Sequence, residues 1–589
     1  QAGDTTLRLA RPVQGWQAGD RLVLPGTRGL AGETEILTLA AVSADGLTLT
    51  LATPLQYSHP GARGDRKNNP VLERLAARHP SDWLATPVVP GDTRTNVLDF
   101  LPHVGNLTRN VIFRSQNPSG TRGHIMVTHT GEGDFRWAEF RDLGRTTFRE
   151  PADPTGMMGR QGRYAVHFHH VMDQMDCPEP CNRLEGSSLW SELPNHEIAW
   201  PVTVHDTRGV LIRENVAYNW MGAAFVTEDD GAQRNIIERN FSVRVGGSGG
   251  RTDWGNAANG FFFWGNDNII RDNVAADIGW AAFEMYSASP FAEFARNEAY
   301  NTPDALRYWN IGGGDNPSPD LNAPQRVMKD FTAWSVGRDA VVNYPSIHLT
   351  FDGFVLRGLP GSAMGYNWGD YGTRNYLVQN NDVQGFNFGM HMPLKFNPTA
   401  VYEPGTFEIK DSYLRNRVNL WVINPAGPGA GGAVSVHPGT MIIRNVRYGD
   451  PYGNPSGNIY FDFWLPAQVH LLQRMQIFVY DYNGAVGQNF RAYWYEQASD
   501  FIVPYGDPNQ GSNFVGAPEA GLTNAQAAAR WEWRLSLEPL QFQYRLVGTQ
   551  GPSSNQATPW QPVVIAGEMA PANATDGRPI GVHGLIAPL

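Results

Sequence analysis

Between Gly162 and His170 the chain reads G-R-Y-A-V-H-F-H-H, three imidazoles within four residues beside an arginine and a tyrosine. Imidazole titrates near neutral pH and is a common nitrogen ligand, so such a run can bind a divalent ion or move protons. If the run is a strand, its side chains alternate between faces. Tyr164, Val166 and Phe168 then fill an interior, while Arg163, His167 and His169 point outward together, with the two imidazoles about 7 Å apart by strand rise. His170 falls at the corner and is the weakest member. A second segment, V-T-V-H-D-T, sends His205 outward and leaves Asp206 and Arg208 at the following corner. Glu228, Asp229 and Asp230 end a third segment. Neighbouring strands lie about 4.8 Å apart, so stacking these segments would put His205 over His167 or His169.

That geometry nominates His167, His169, His205, Arg163, Glu228 and Asp229 for catalysis. His167, His169, His205 and Asp230 form a nitrogen and oxygen set suited to a divalent metal, calcium or zinc. No organic cofactor is expected: V-G-G-S-G-G-R, Val245 to Arg251, lacks the Lys-Ser/Thr and helix of a phosphate loop. Arg163, Arg208, Trp220 and Trp264 are the substrate-binding candidates, the arginines for acidic groups and the indoles for sugar faces. Trp254, Trp280 and Tyr286 are further aromatics near segment ends. Plainer roles compete: a single outward histidine is often only solvated, E-D-D-G also makes a turn or a structural calcium loop, and an indole can be core. Arg160, Arg163, Arg208, Arg213, Arg234, Arg239, Arg244 and Arg251 could line a basic cleft, although Arg213 and Arg239 sit at repeat positions and read as braces between coils.

The elements that position these residues are short strands. Residues 1–60 alternate apolar and polar positions between turn signals; 61–103 is a charged insertion with a short helix at V-L-E-R-L-A-A-R-H. From 104 to 450 an apolar-x-Arg-x-Asn-like core recurs, with Asn215, Asn240, Asn273 and Asn297 spaced by 25, 33 and 24 residues. That period fits one turn of a β-solenoid. Asparagine accepts left-handed corners, and stacked asparagines can hydrogen-bond along a ladder. Residues 451–589 lose the repeat and read as a β-rich cap or accessory region, with a short helix at G-L-T-N-A-Q-A-A-A-R-W-E-W and a polar loop over 550–561. The expected fold class is all-β: a right-handed parallel β-helix between an N-terminal β-rich region and a C-terminal β-rich cap.

The whole composition agrees: 64 Gly, 42 Pro and 17% charged residues among 589 suit turns and short strands. A net charge of −11 argues against a nucleic-acid partner. No apolar run is long enough to span a membrane, and the N-terminus opens on a strand pattern without a leader, as a processed or truncated product would. Cys177 and Cys181 in C-P-E-P-C read first as a disulfide and second as part of a metal site.

Several stretches in order resemble a known family. D-T-T-L-R-L-A-R-P-V-Q-G-W-Q-A-G-D-R-L-V-L, E-T-E-I-L-T-L and L-Q-Y-S-H-P-G are similar to the later half of the eight-glycine domain of the cell-migration-inducing and cell-surface hyaluronidases. G-N-L-T-R-N-V-I-F-R-S, G-H-I-M-V, G-R-Y-A-V-H-F-H, V-T-V-H-D-T-R-G-V-L-I-R-E-N-V-A-Y-N, F-V-T-E-D-D-G and A-N-G-F-F-F-W-G-N-D-N continue it over roughly 4–290. The resemblance is strongest to the secreted relatives that bacteria carry. It implies a right-handed parallel β-helix and an extracellular, cell-surface or periplasmic protein with a polysaccharide partner. Two features depart from the family: the first half of the eight-glycine domain is absent, and the family's Gly-His is Gly222-Ala223. The expected function is depolymerisation of an acidic polysaccharide, by a glycoside hydrolase using carboxyls such as Glu228, Asp229, Asp230 or Asp206, or by a lyase using Arg163 or a metal with a histidine base. The alternative is a non-catalytic surface or matrix scaffold.

Overall fold

The computed structural model describes residues 1–29, 32–65, 69, 71–72, 97–147, 161–171, 180, 182–193, 197–250, 254–313, 324–344, 346–368, 374–392, 405–424, 439–449, 459–463, 473–487, 490–496, 531–537, 540–546, 561–562 and 585–587. Strands that recur at the solenoid period pair in parallel with the equivalent strands one turn on, and build three sheet faces. On the first face Asp134–Arg136, Arg183–Glu185, Leu211–Arg213, Ile236–Glu238 and Asn268–Arg271 stack in order. On the second, Ala138–Arg141, Ser188–Trp190, Val216–Met221, Phe241–Gly246 and Val274–Ile278 do the same. The third stacks Ile125–Thr128, Val166–His169, Val202–His205, Ala223–Glu228, Asn259–Phe263, Ala281–Tyr286 and the second half of Glu298–Trp309. This is a parallel β-helix. Its ladder runs on through Ile459–Phe463 and Gln473–Tyr480, after which Phe490–Glu496 pairs antiparallel.

The four recurring asparagines form the predicted ladder, with amide to carbonyl distances of 2.9, 3.0 and 3.1 Å from Asn215 through Asn240 and Asn273 to Asn297. Each also donates to a backbone carbonyl of the preceding coil. The left-handed corner is not theirs. It belongs to the residue before each one, Glu214, Arg239, Asp272 and Arg296, with φ between 52° and 57°. The corner residue turns the chain and the buried asparagine then satisfies the backbone groups the turn would orphan. Asn235 and Asn268 make a second rung of the same kind at 3.0 Å. The arginines at repeat positions are braces: Arg213 and Arg271 both bind Glu238, at 2.6 and 2.7 Å, and Arg239 binds Glu214 at 3.0 Å. Arg160 and Arg251 lie outside the described residues.

An antiparallel N-terminal sheet, Thr6–Arg8, Thr48–Leu51, Glu35–Val42, Arg21–Leu24 and Gly105–Asn106, leans on the outside of the second face. Val23, Phe100 and Leu107 pack there against Trp190, Tyr218, Tyr300 and Trp334. The outer side of the second face is thereby covered. Of the insertion helix only Val71 and Leu72 are described. The C-terminal W-E-W is not helical: Trp531 opens the strand Trp531–Leu537, which pairs antiparallel with Leu540–Leu546. Alternating aromatic and charged residues favour the extended form over the helix. The rest of that helix, and residues 550–560, lie outside the described residues.

Replacing Asn273 by alanine removes the acceptor of Asn240 and the donor to Ile237. Orphaned buried groups cost about 1–3 kcal/mol each, so the midpoint of denaturant unfolding is expected to fall accordingly. A loss below about 0.5 kcal/mol would show that the ladder does not hold the coils.

Candidate functional site

Strand parity on the third face has a local twist. Ala165 and Val166 both enter the core, as do Ala224 with Phe225 and Ala282 with Phe283. Two inward residues in a row shift the alternation, so Tyr164, expected inside, faces out with His167. It stacks on Trp200 at 5.2 Å in an outer apolar cluster with Ala223, Val226 and Phe262. Beyond the shift the alternation holds: Phe168 is core, and His167 and His169 share the outer side.

The register is set by the ladder. His169 pairs with His205, and His205 with Glu228. His167 lies beside this column, its ring 4.9 Å from that of His169 and stacked 6.0 Å from that of His205. One ring nitrogen from each of His167, His169 and His205 comes within 4.8 Å of the others. His170, expected to be idle at the corner, joins them. Its left-handed backbone, φ 53°, swings the ring to 4.2 Å from His169, and its Nδ1 reaches Asp206 Oδ2 at 2.7 Å. His129 and His124 approach from the preceding coil: His129 stacks 6.3 Å from His170, and the charges of His124 and His129 bear on His167 and His169. The sequence signal for these two is present in G-H-I-M-V-T-H, whose strand precedes that of His167.

Each imidazole has a different environment. His167 is 1% exposed, and burial pushes its pKa down to about 3, aided by the neighbouring histidines. Its Nδ1 lies 3.0 Å from Gly162 O, so the neutral ring carries its proton there, and the buried Nε2 is left without a hydrogen-bond partner. His205 is held above the ordinary histidine range by its hydrogen bond to Asp229, Nε2 to Oδ2 at 2.7 Å. Its Nδ1 faces Glu228 Oε2 at 3.8 Å. His169 is lowered by burial and by His170 and His205.

The two carboxyls separate. Burial raises Glu228. Burial also works to raise Asp229, but His205 and the backbone N–H groups of Gly231 and Asp206 hold it below its usual range. Gly231 is required at this corner: a Cβ there would collide with Asp206 Oδ1. E-D-D-G is therefore a turn that also supplies two site carboxyls. Asp230 is not the third. It is exposed on that turn, and its backbone carbonyl accepts from Gln233 and Asn266.

Arg163 is half-buried, and its charge helps depress His124 behind the burial effect. Arg208 is exposed on the corner rather than on the sheet face. Trp220 is not available to substrate: left-handed Asn219 kinks its strand, turning the indole into the core, where its N–H donates to Leu189 O at 3.0 Å. Trp264 remains partly exposed beside the outer cluster. Cys177 and Cys181 lie outside the described residues. Ala223, where the resembled family carries histidine, is fully buried in the outer cluster.

Residues 121–312, which contain every histidine of the cluster, match the family described as the CEMIP beta-helix. The segment is similar to that β-helix. Related proteins include human fibrocystin-L, 27% identical over 308 residues, 47% of this chain and 6% of that one. Human cell migration-inducing and hyaluronan-binding protein is 26% identical over 252 residues, 41% of this chain and 16% of that one. Human cell surface hyaluronidase CEMIP2 is 24% identical over 163 residues, 25% of this chain and 10% of that one. The match thus spans a small part of each relative. Among solved structures, the catalytic domain of a GH87 alpha-1,3-glucanase overlays with a TM-score of 0.39 at 11% identity, over 78% of this chain and 87% of that one, too loosely to bear on function. No helix among the described residues is long and apolar enough to cross a membrane.

The histidine site has a pH signature. His167 binds its proton in the unfolded chain near pH 6.5 but in the folded one only near 3. Its contribution is therefore present above about 6.5 and lost as pH falls toward 3. His205, shifted the other way, contributes below its unfolded pKa and loses that as pH rises through its raised value. In metal-free protein, His167→Gln is expected to flatten the fall in unfolding free energy between pH 6.5 and 4 by up to about 1.4 kcal/mol per pH unit. An unchanged slope would mean that His167 is not held neutral by burial.

Proposed function

We propose that the chain hydrolyses an acidic polysaccharide at the histidine site of its CEMIP-like β-helix, outside the cell or at its surface, with a divalent metal held by His167, His169 and His205. The observation that carries this reading is the convergence of three imidazole nitrogens beside two carboxyls of opposite pKa shift. Relatives named for hyaluronan binding and for cell-surface hyaluronidase activity support the choice of substrate.

The residues fit a metal. His167 and His205 each commit one nitrogen to a backbone carbonyl or a carboxylate, which fixes the tautomer and leaves the other nitrogen to bind an ion, an arrangement common around metal-bound histidine. The 4.8 Å spread is one that small side-chain rotations close to the roughly 3.4 Å between tetrahedral nitrogen ligands. An all-imidazole set favours zinc, whereas calcium takes oxygen. The ion would supply Lewis acidity and positive charge next to an acidic sugar. Glu228, whose pKa burial raises, would donate its proton to the leaving glycosidic oxygen as water adds to the sugar carbon. Asp229 stays ionised and holds His205 in place.

One zinc per chain is expected after dialysis, measured by mass spectrometry. It should be lost in His167→Ala and weaken at acid pH, where the His205 proton competes. Zinc kept by His167→Ala and His205→Ala would refute the ligand set.

With hyaluronan and polygalacturonate as substrates, new reducing ends without an unsaturated chromophore are expected. Glu228→Gln should lower kcat about 10²- to 10⁴-fold with zinc retained. An unsaturated product would show elimination instead. The burial of Ala223 where the resembled family has histidine favours a second reading, a non-catalytic scaffold. Absence of any product from the zinc-loaded protein would select it.

A further inference from the structure

The column that holds His169, His205 and Glu228 continues beyond the site. Thr227 pairs with Phe263, Phe263 with Met285, and Tyr286 with Trp309. The outward positions that follow Glu228 are therefore Trp264, Tyr286 and Trp309, and Tyr344 comes next, its N–H bonded to Tyr308 O. Their rings touch in series, with centroids 5.1 Å apart from Trp264 to Tyr286, 6.2 Å from Tyr286 to Trp309 and 4.2 Å from Trp309 to Tyr344. Trp254, from the connection before Asn259–Phe263, closes on Tyr286 at 4.5 Å and on Trp309 at 5.5 Å. Trp254, Trp264, Tyr286 and Trp309 are all partly exposed.

We infer that this aromatic tract is a saccharide-binding subsite, which holds several sugars of a polysaccharide lying along the solenoid axis with the scissile bond at Glu228. The inference rests on the glycan reading of the histidine site. Two observations point to a sugar chain as the occupant. The tract is narrow, one ring from each coil with Trp254 alongside, and advances about 4.8 Å per coil, whereas a docked protein helix or strand would need a broader face. Its rings carry no charge but offer the flat apolar surface on which the C–H faces of pyranoses stack. In the same coils, at the far ends of the strands about 16 Å from the rings, Asn259 Oδ1, Trp280 Nε1 and Asp339 Oδ1 are buried and make no hydrogen bond within the structure. Asn259 and Asp339 lie on the same outer side, and Asp304 between them in the register is bound by Arg307 and Arg338. Continuity with the site decides direction: the rings begin where Glu228 ends, so bound sugars extend toward the C-terminal coils.

The test uses the zinc-loaded full chain and two probes, a hyaluronan polymer and a polygalacturonate polymer, in affinity electrophoresis, with hyaluronan tetrasaccharide for comparison. The wild type and Glu228→Gln are expected to bind at least one polymer. The double variant Tyr286→Ala with Trp309→Ala should weaken that binding about tenfold or more and raise KM on the polymer likewise, with the tetrasaccharide little affected. Phenylalanine at both positions should restore it. Trp254→Ala, on a connecting segment rather than a strand, repeats the test without touching a sheet should the double variant fail to fold. Binding of neither polymer by the wild type, or equal binding by the folded alanine variants, overturns the subsite. Polymer binding without cleavage by the wild type would sink the catalytic reading and leave the tract standing; cleavage with unchanged KM in the alanine variants would do the reverse.

Discussion

Everything on the third face depends on coils stacking in register. A slip of one residue would send every outward side chain inward, because strand side chains alternate with period two. The asparagine ladder opposes that slip from the opposite end of each coil: four buried amides, three bonded to the next coil and all four to the previous backbone, allow one vertical alignment. With the coils locked, a histidine in one strand is placed one strand spacing from a histidine in the next, although 36 residues of chain separate His169 from His205.

The site then draws its chemistry from unequal burial. The same face carries a histidine kept neutral by the outer apolar cluster, another raised by a carboxylate partner, and two adjacent carboxyls moved in opposite directions. Pushing neighbouring titratable groups apart is how a protein assigns acid and base roles. Burying His167 with a bare nitrogen is costly, and the proposed zinc would offset that cost. The N-terminal sheet covers the second face, and on the third the column of His169, His205 and Glu228 and the aromatic positions after it keep partial exposure while the outward residues beside them are buried.

Much of this is legible in the residues. Period, fold class, the outward His167 and His169 pair and its completion by His205 follow from strand alternation and coil stacking. What stays hidden depends on backbone bends that period-two reasoning cannot see. The double inward step at Ala165 and Val166 turns Tyr164 out, the left-handed His170 brings a supposed bystander into the cluster, and the kink at Asn219 takes Trp220 into the core. The left-handed corner falls one residue before the position that asparagine's own preference suggests, since Glu214, Arg239, Asp272 and Arg296 take the strained conformation and the asparagines behind them collect the hydrogen bonds. Asp230 stays outside the site because a turn can direct only some of its carboxylates back to the sheet.

The central claim is that a single outward column carries both cleavage and substrate. The most direct measurement is a crystal structure of the zinc-loaded Glu228→Gln variant soaked with a long hyaluronan oligosaccharide. Sugar density is expected along the solenoid axis, with rings stacked on Trp264, Tyr286 and Trp309 and a glycosidic oxygen within hydrogen-bond reach of the amide that replaces the Glu228 carboxyl. Density lying across the coils, or on another face with the histidines uncovered, would contradict it.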